Sequence, residues 1–202
     1  MRSALALMCI AGIAVACEST SVPAPAPSAV ASAAALPKVL VVYTTWVPDA
    51  RVTNGPEPGY KPAMAGLTSR DIRSASAVLD ANGVAWVVNI VFADRGAALF
   101  RTLTRNNVSA CPTANQNCPQ RHLAIWLGLT QTDIDGWDNP ATVSEVSRPF
   151  DLSCIGATTC PKLISDPITV DEITGGQMVL AGAFTQTTAR GLAAIINSPP
   201  AA

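Results

Sequence analysis

An apolar run from Ala4 to Ala16, preceded by Arg2 and ended by Cys17, does most to constrain what this chain can become. A short positive start, an h-region of that length and a small-residue end read as an export signal. The run is too short to span a bilayer comfortably. Residues 1–16 are therefore expected to stand outside the fold. Whatever folds does so beyond the cytoplasm, where thiols oxidise.

The stretch Ile13-Ala14-Val15-Ala16-Cys17 resembles a bacterial lipobox, with Ala14 where leucine is usual. That resemblance implies that 1–16 is a lipoprotein signal peptide and that Cys17 is lipidated and becomes the mature N-terminus. The plainer alternative is a secretory signal cleaved after Ala16. Residues 17–36 follow as a tether. Glu18 to Ala35 is almost wholly Ala, Pro, Ser, Val and Thr around Pro23-Ala24-Pro25-Ala26-Pro27, a composition that buries little and favours extended backbone. At about 3 Å per residue it could hold a domain on the order of 50 Å from a membrane.

One domain, 37–202, remains. The net charge of −1 and the lack of basic clusters argue against a nucleic-acid partner. No later apolar run approaches the length of a membrane span. Of the six cysteines, Cys111, Cys118, Cys154 and Cys160 fall in the domain. An even number in an exported chain reads as disulfides. The favoured pairs are Cys111–Cys118 and Cys154–Cys160, each closing a short polar loop; cross-pairing stays open. No metal site and no cofactor are expected, because the Cys spacings are wide and the only histidine, His122, has no partner histidine.

Val39–Tyr43 reads as a strand, 48–62 as a loop, and Ser69–Ala75 as a short helix capped by Thr68. Ser76–Leu79 and Trp86–Phe92 flank Asn82-Gly83 as a hairpin. The second of these strands is apolar almost throughout. It is either covered on both faces or offers one as a contact surface. Asp94 is expected to cap a helix to about Asn106. Leu123–Leu127 reads as a buried strand, 128–161 as a polar loop, Gln177–Gly182 as a strand, and Thr185 as the cap of a last helix. Mixed elements without strict βαβ alternation imply an α+β fold: a largely antiparallel sheet with helices packed on one face.

Several motifs, in order, resemble the extracytoplasmic head subdomain of the SecD/SecF proteins of the bacterial Sec translocon. Leu67-Thr68-Ser69-Arg70-Asp71-Ile72-Arg73-Ser74-Ala75 is similar to "Leu-Thr-Gly-x-Asp-Ile-x-x-Ala". Phe92 to Phe100 resembles "Phe-x-x-x-Gly-Ala-x-x-Phe", and Leu103 to Val108 the end of the same helix. Arg121 to Leu127 resembles "Arg-x-Leu-Ala-Ile-x-Leu", and Ile164 to Ile168 "Ile-Ser-Ala-Pro-Val". Ile173-Thr174-Gly175-Gly176 and Gly182-Ala183-Phe184-Thr185 resemble the family's ending. The resemblance implies a SecDF head-like fold and contact with translocating polypeptide or with SecD/SecF themselves. Two Cys-containing stretches, about 109–120 and 128–162, look like insertions. The family's "Asp-Gly" after the Leu127 strand is replaced by Gly128-Leu129. SecD and SecF also carry transmembrane helices for proton coupling, which this sequence lacks.

Trp137, in a polar loop, is the candidate exposed partner contact, whereas Trp86 and Trp126 sit on apolar strands and read as core. No catalytic residues are assigned: His122 is accompanied by no nucleophile elbow. Asp133, Asp135 and Asp138 read as a solvated acidic loop rather than a calcium loop. Asn107-Val108-Ser109 fits a glycosylation sequon by letter only. The expected function is that of a non-catalytic, membrane-tethered lipoprotein binding exported polypeptide or translocon components. The alternative is an envelope adaptor that binds one partner through its disulfide-pinned loops.

Overall fold

A computed structural model describes residues 39–111, 118–154 and 160–199. The signal segment, the tether and Cys17 lie outside the described residues. Among those described, the strands form two antiparallel sheets. The first runs β2 (Tyr60–Thr68), β1 (Val41–Pro48), β5 (Ala124–Leu127), β6 (Leu163–Ser165); the second runs β3 (Ile72–Leu79), β4 (Trp86–Phe92), β7 (Gln177–Phe184). The helices are α1 (Asp94–Ala110), α2 (Gln131–Asp135), α3 (Pro140–Val146) and α4 (Gln186–Asn197). The α+β class and the antiparallel pairing hold, divided between two sheets.

Alternation along β1 and β5 builds two cores. Val41, Tyr43, Ile125 and Leu127 face the main core with Val88, Ile90, Phe100, Leu180 and the α4 residues Leu192 and Ile196. Val42, Trp46, Ala124 and Trp126 face a second core, closed by Leu129, Ile134, Trp137, Val143 and Val146. This is why β5 is buried at every position: a strand covered on both faces reads as an unbroken apolar run. Helices pack on both faces of the first sheet, rather than on one.

The polar stretch 128–161 is thus corrected from a loop in its part 129–146, which is the lid of the second core. Thr130 caps α2 in a reciprocal capping box with Asp133, and Asn139 caps α3 with Pro140 in its first turn. These signals sit in polar residues, while the buried positions are single apolar residues between them. The expected helix over 69–75 shrinks to a 3-10 turn, Ser69–Asp71, still capped by Thr68, and the chain passes directly into β3. Asp94 is the first residue of α1 rather than its cap, a position held by Ala93. The hairpin forms, though its turn is wider than Asn-Gly alone suggests. Asp80 N–H bonds to the Ala85 carbonyl, and only Gly83 takes a positive φ, at 70°.

β2 was hidden by its composition. It is an edge strand, which tolerates Pro62, and it carries Gly66 in the left-handed region near a register shift against β1. The cysteines lie in the favoured pairs, Cys111 with Cys118 and Cys154 with Cys160, at Cα separations of 6.5 and 5.7 Å.

Two family-like motifs meet at one point. The Asp71 carbonyl accepts the Ala93 N–H at 2.9 Å, and the Asp71 carboxylate accepts the Thr68 N–H at 3.1 Å and pairs with Arg95. The backbone of α1 approaches so closely that a Cβ on Gly96 would lie 2.2 Å from that carbonyl oxygen. At the far edge of the second sheet, the Asn197 side chain bonds both the N–H and the carbonyl of Ala75, at 2.8 and 2.9 Å. The end of α4 thereby covers the β3 edge, which would otherwise offer unpaired backbone groups.

Candidate functional site

β7 is the other edge of the second sheet. The segment 166–176 leads into it and is held in place at three points. The Thr104 hydroxyl accepts the Ile173 N–H at 3.0 Å, Arg121 Nη2 donates to the Val170 carbonyl at 3.0 Å, and Arg101 pairs with Glu172. Between the segment and the sheet lies a groove of about 760 Å³, lined among others by Val91, Ile168, Val170, Ile173, Met178 and Val179. Val170 is 66% and Val179 59% exposed, and Ile168 and Ile173 are also exposed. These exposed apolar side chains make the groove the candidate contact surface. The groove also settles the reading of β4. It is the central strand, with Val88 and Ile90 fully in the core, while Asn89 and Val91 are half-buried against the groove.

Trp137 is not an exposed anchor. It is 1% exposed and packs against Trp46 and Trp126, with ring centroids 6.1 and 5.6 Å away. Its loop is polar outside and apolar inward, and a single tryptophan among carboxylates gave no periodic signal of burial. Trp126 is core as expected, its indole N–H donating to Thr44 at 2.8 Å. Trp86 is half-buried, with the Arg190 guanidinium 5.8 Å from its ring centroid. The carboxylates around Trp137 face different partners: Asp133 the amine of Lys162, Asp135 the amide of Gln131, Asp138 the guanidinium of Arg51. Asn107 of the sequon is buried in α1, where its amide donates to the His122 carbonyl at 3.2 Å.

His122 is brought to Glu57 and Asp166, a grouping not legible in the sequence. Its Nδ1 lies 3.2 Å from Glu57 Oε1 and 3.2 Å from Asp166 Oδ2. Three loops converge there: the turn before β2, the approach to β5 and the exit from β6. Backbone pairing fixes two of them. Leu123 N–H bonds to the Pro167 carbonyl, Thr169 N–H to the Arg121 carbonyl, and His122 bridges to Ile168. The Trp46 indole N–H donates to Asp166 Oδ1 at 3.2 Å, which turns the other carboxylate oxygen toward the imidazole. Burial raises the Glu57 carboxyl above its ordinary pKa; His122 opposes that shift and the Asp166 charge adds to it. The separations in sequence, 57 to 122 to 166, explain why no motif announced the group.

Among the described residues no helix is long and apolar enough to cross a membrane. No curated protein matches the chain. Among solved structures, it is similar to a SecDF described as a membrane component that enhances protein export, at 19% identity and a TM-score of 0.47, over 80% of this chain and 63% of that one. It is also similar to a SecDF crystallised in a super-membrane-facing form, at 17% identity and a TM-score of 0.46, over 80% of this chain and 19% of that one. The chain therefore spans less than two thirds of the length of either. The model of the SecDF P1 head subdomain matches residues 50–200. That span is most of the sequence, and the chain belongs to the SecDF P1 head subdomain family.

Proposed function

We propose that this protein is a non-catalytic, lipid-anchored head domain that works in protein export outside the cytoplasm, holding exported polypeptide in the groove beside β7. Family membership gives the export role its support. The observation that carries the binding mode is the coincidence of a sheet edge with clustered, exposed Val170, Val179, Ile168 and Ile173. An extended chain would add to the β7 edge through main-chain bonds and set alternate side chains into the apolar groove. Such a mode reads little sequence, as a partner to many exported chains must. One edge carbonyl, Ala181, has a long 3.5 Å contact from Ser165 that an incoming strand would displace.

The test is binding of a fluorescent, unfolded secretory precursor to the purified full chain, followed by anisotropy. Micromolar binding is expected, weakened about tenfold or more in the Val170→Asp, Val179→Lys double variant, a loss typical of central contact residues. Unchanged affinity in that variant, or no binding at all by the folded protein, rejects the groove.

The anchor rests on the Arg2, apolar run and Cys17 pattern. Radiolabelled palmitate is expected to enter the wild-type chain and not Cys17→Ala, and the variant should leave the membrane fraction. Equal labelling of both would remove the lipid from this reading.

The adaptor alternative loses its simplest form. Of the stretch 129–161, residues 129–146 supply Ile134, Trp137, Val143 and Val146 to the second core and are not a detachable contact loop.

A further inference from the structure

We infer that Glu57, His122 and Asp166 form a binding site for a divalent transition-metal cation of the zinc type. The three side chains offer one imidazole nitrogen and two carboxylate oxygens, all within 4.8 Å of one another. The nitrogen-to-oxygen distances are both 3.2 Å. Ligands held about 2.0–2.2 Å from a tetrahedral zinc stand roughly 3.3–3.6 Å apart, so the two nitrogen-to-oxygen edges need to open by only a few tenths of an ångström to admit a cation. Three protein ligands leave a fourth position for water.

The surroundings are those of a built site. The ligand side chains are only 15–18% exposed. Two carboxylates so placed repel each other unless a positive charge lies between them, and a cation bound at Nδ1 supplies it. The Trp46 indole orients Asp166 from behind, as outer partners of metal ligands do. The imidazole nitrogen favours zinc-like metals over calcium or magnesium, which take oxygen ligands. The ligands come from the turn before β2, the start of β5 and the end of β6, so the cation would staple the segment that begins the groove wall to the first sheet.

The experiment uses the full chain, stripped with a chelator and titrated with zinc chloride by calorimetry, with thermal unfolding alongside. One zinc per chain is expected. At a hundredfold excess over Kd, Tm should rise by about 5–10 °C. Calcium chloride should leave Tm unchanged. His122→Gln and Glu57→Gln should each remove the zinc-dependent rise. Glu57→Gln also relieves the carboxylate repulsion, so it should fold at least as well as wild type without metal, which keeps its loss of binding interpretable. Folded wild type that takes up no zinc overturns the site. Zinc bound equally by wild type and both variants overturns it as well, because the metal then sits elsewhere.

Discussion

Trp137→Ala is expected to destabilise the protein by about 3–5 kcal/mol, a large part of the total stability of an ordinary domain. The indole is 1% exposed and completes a three-tryptophan cluster with Trp46 and Trp126. Its removal opens a cavity beneath α2 and α3, two short helices that have little stability of their own. Trp137→Phe should cost far less, about 1 kcal/mol. Among the described residues the indole Nε1 is buried with no hydrogen-bond partner, and phenylalanine removes that unsatisfied donor together with some apolar area. Urea unfolding followed by circular dichroism measures both. A change within about 0.5 kcal/mol for Trp137→Ala would mean a surface side chain and contradict the second core. Deleting 129–161 should unfold the domain outright, since it strips the cover from Val42, Trp46 and Trp126.

Gly96→Ala separates two effects of opposite sign. Helix propensity alone would make the alanine variant more stable by about 1 kcal/mol. Against that, the new Cβ would lie 2.2 Å from the Asp71 carbonyl oxygen and 3.0 Å from its Cβ. The neighbour is backbone, held by the Ala93 N–H and flanked by the capping box, so it has nowhere to go. Overpacking of this kind costs typically 1–3 kcal/mol. A net loss of about 1 kcal/mol, and up to about 2, is expected, and more for Gly96→Val. A gain in Tm for the alanine variant would show that α1 does not seat on the 3-10 turn. The same contact gives a physical reason for two of the family-like motifs. The aspartate turn and the helix glycine are the two sides of one close approach.

Some of the fold was readable in advance because its cause is local. The β3–β4 hairpin rests on alternating apolar runs around a glycine turn, and α4 on Thr185 accepting the Thr188 N–H at 3.1 Å ahead of an apolar face. β5 shows its burial directly in Ala124-Ile125-Trp126-Leu127. Spacing favoured the short disulfide loops, and the structure decides for them against cross-pairing. β2 was not legible: Tyr60 to Thr68 carries proline, glycine and two alanines, and only its place at a sheet edge makes that composition acceptable. The lid over the second core was hidden for a related reason. Helices as short as α2 and α3 bury too few residues to show a period.

By itself the sequence determined the α+β class and the family-like motifs and favoured the cysteine pairs, because caps, turns, alternation and spacing act between residues close in the chain. Only the tertiary structure decided the rest. The division into two sheets, the burial of Trp137, the groove beside β7 and the meeting of Glu57, His122 and Asp166 all depend on which distant segments share a face. That choice comes from burying apolar area on both sides of β1 and β5, a sum over the whole domain that no short window of sequence contains.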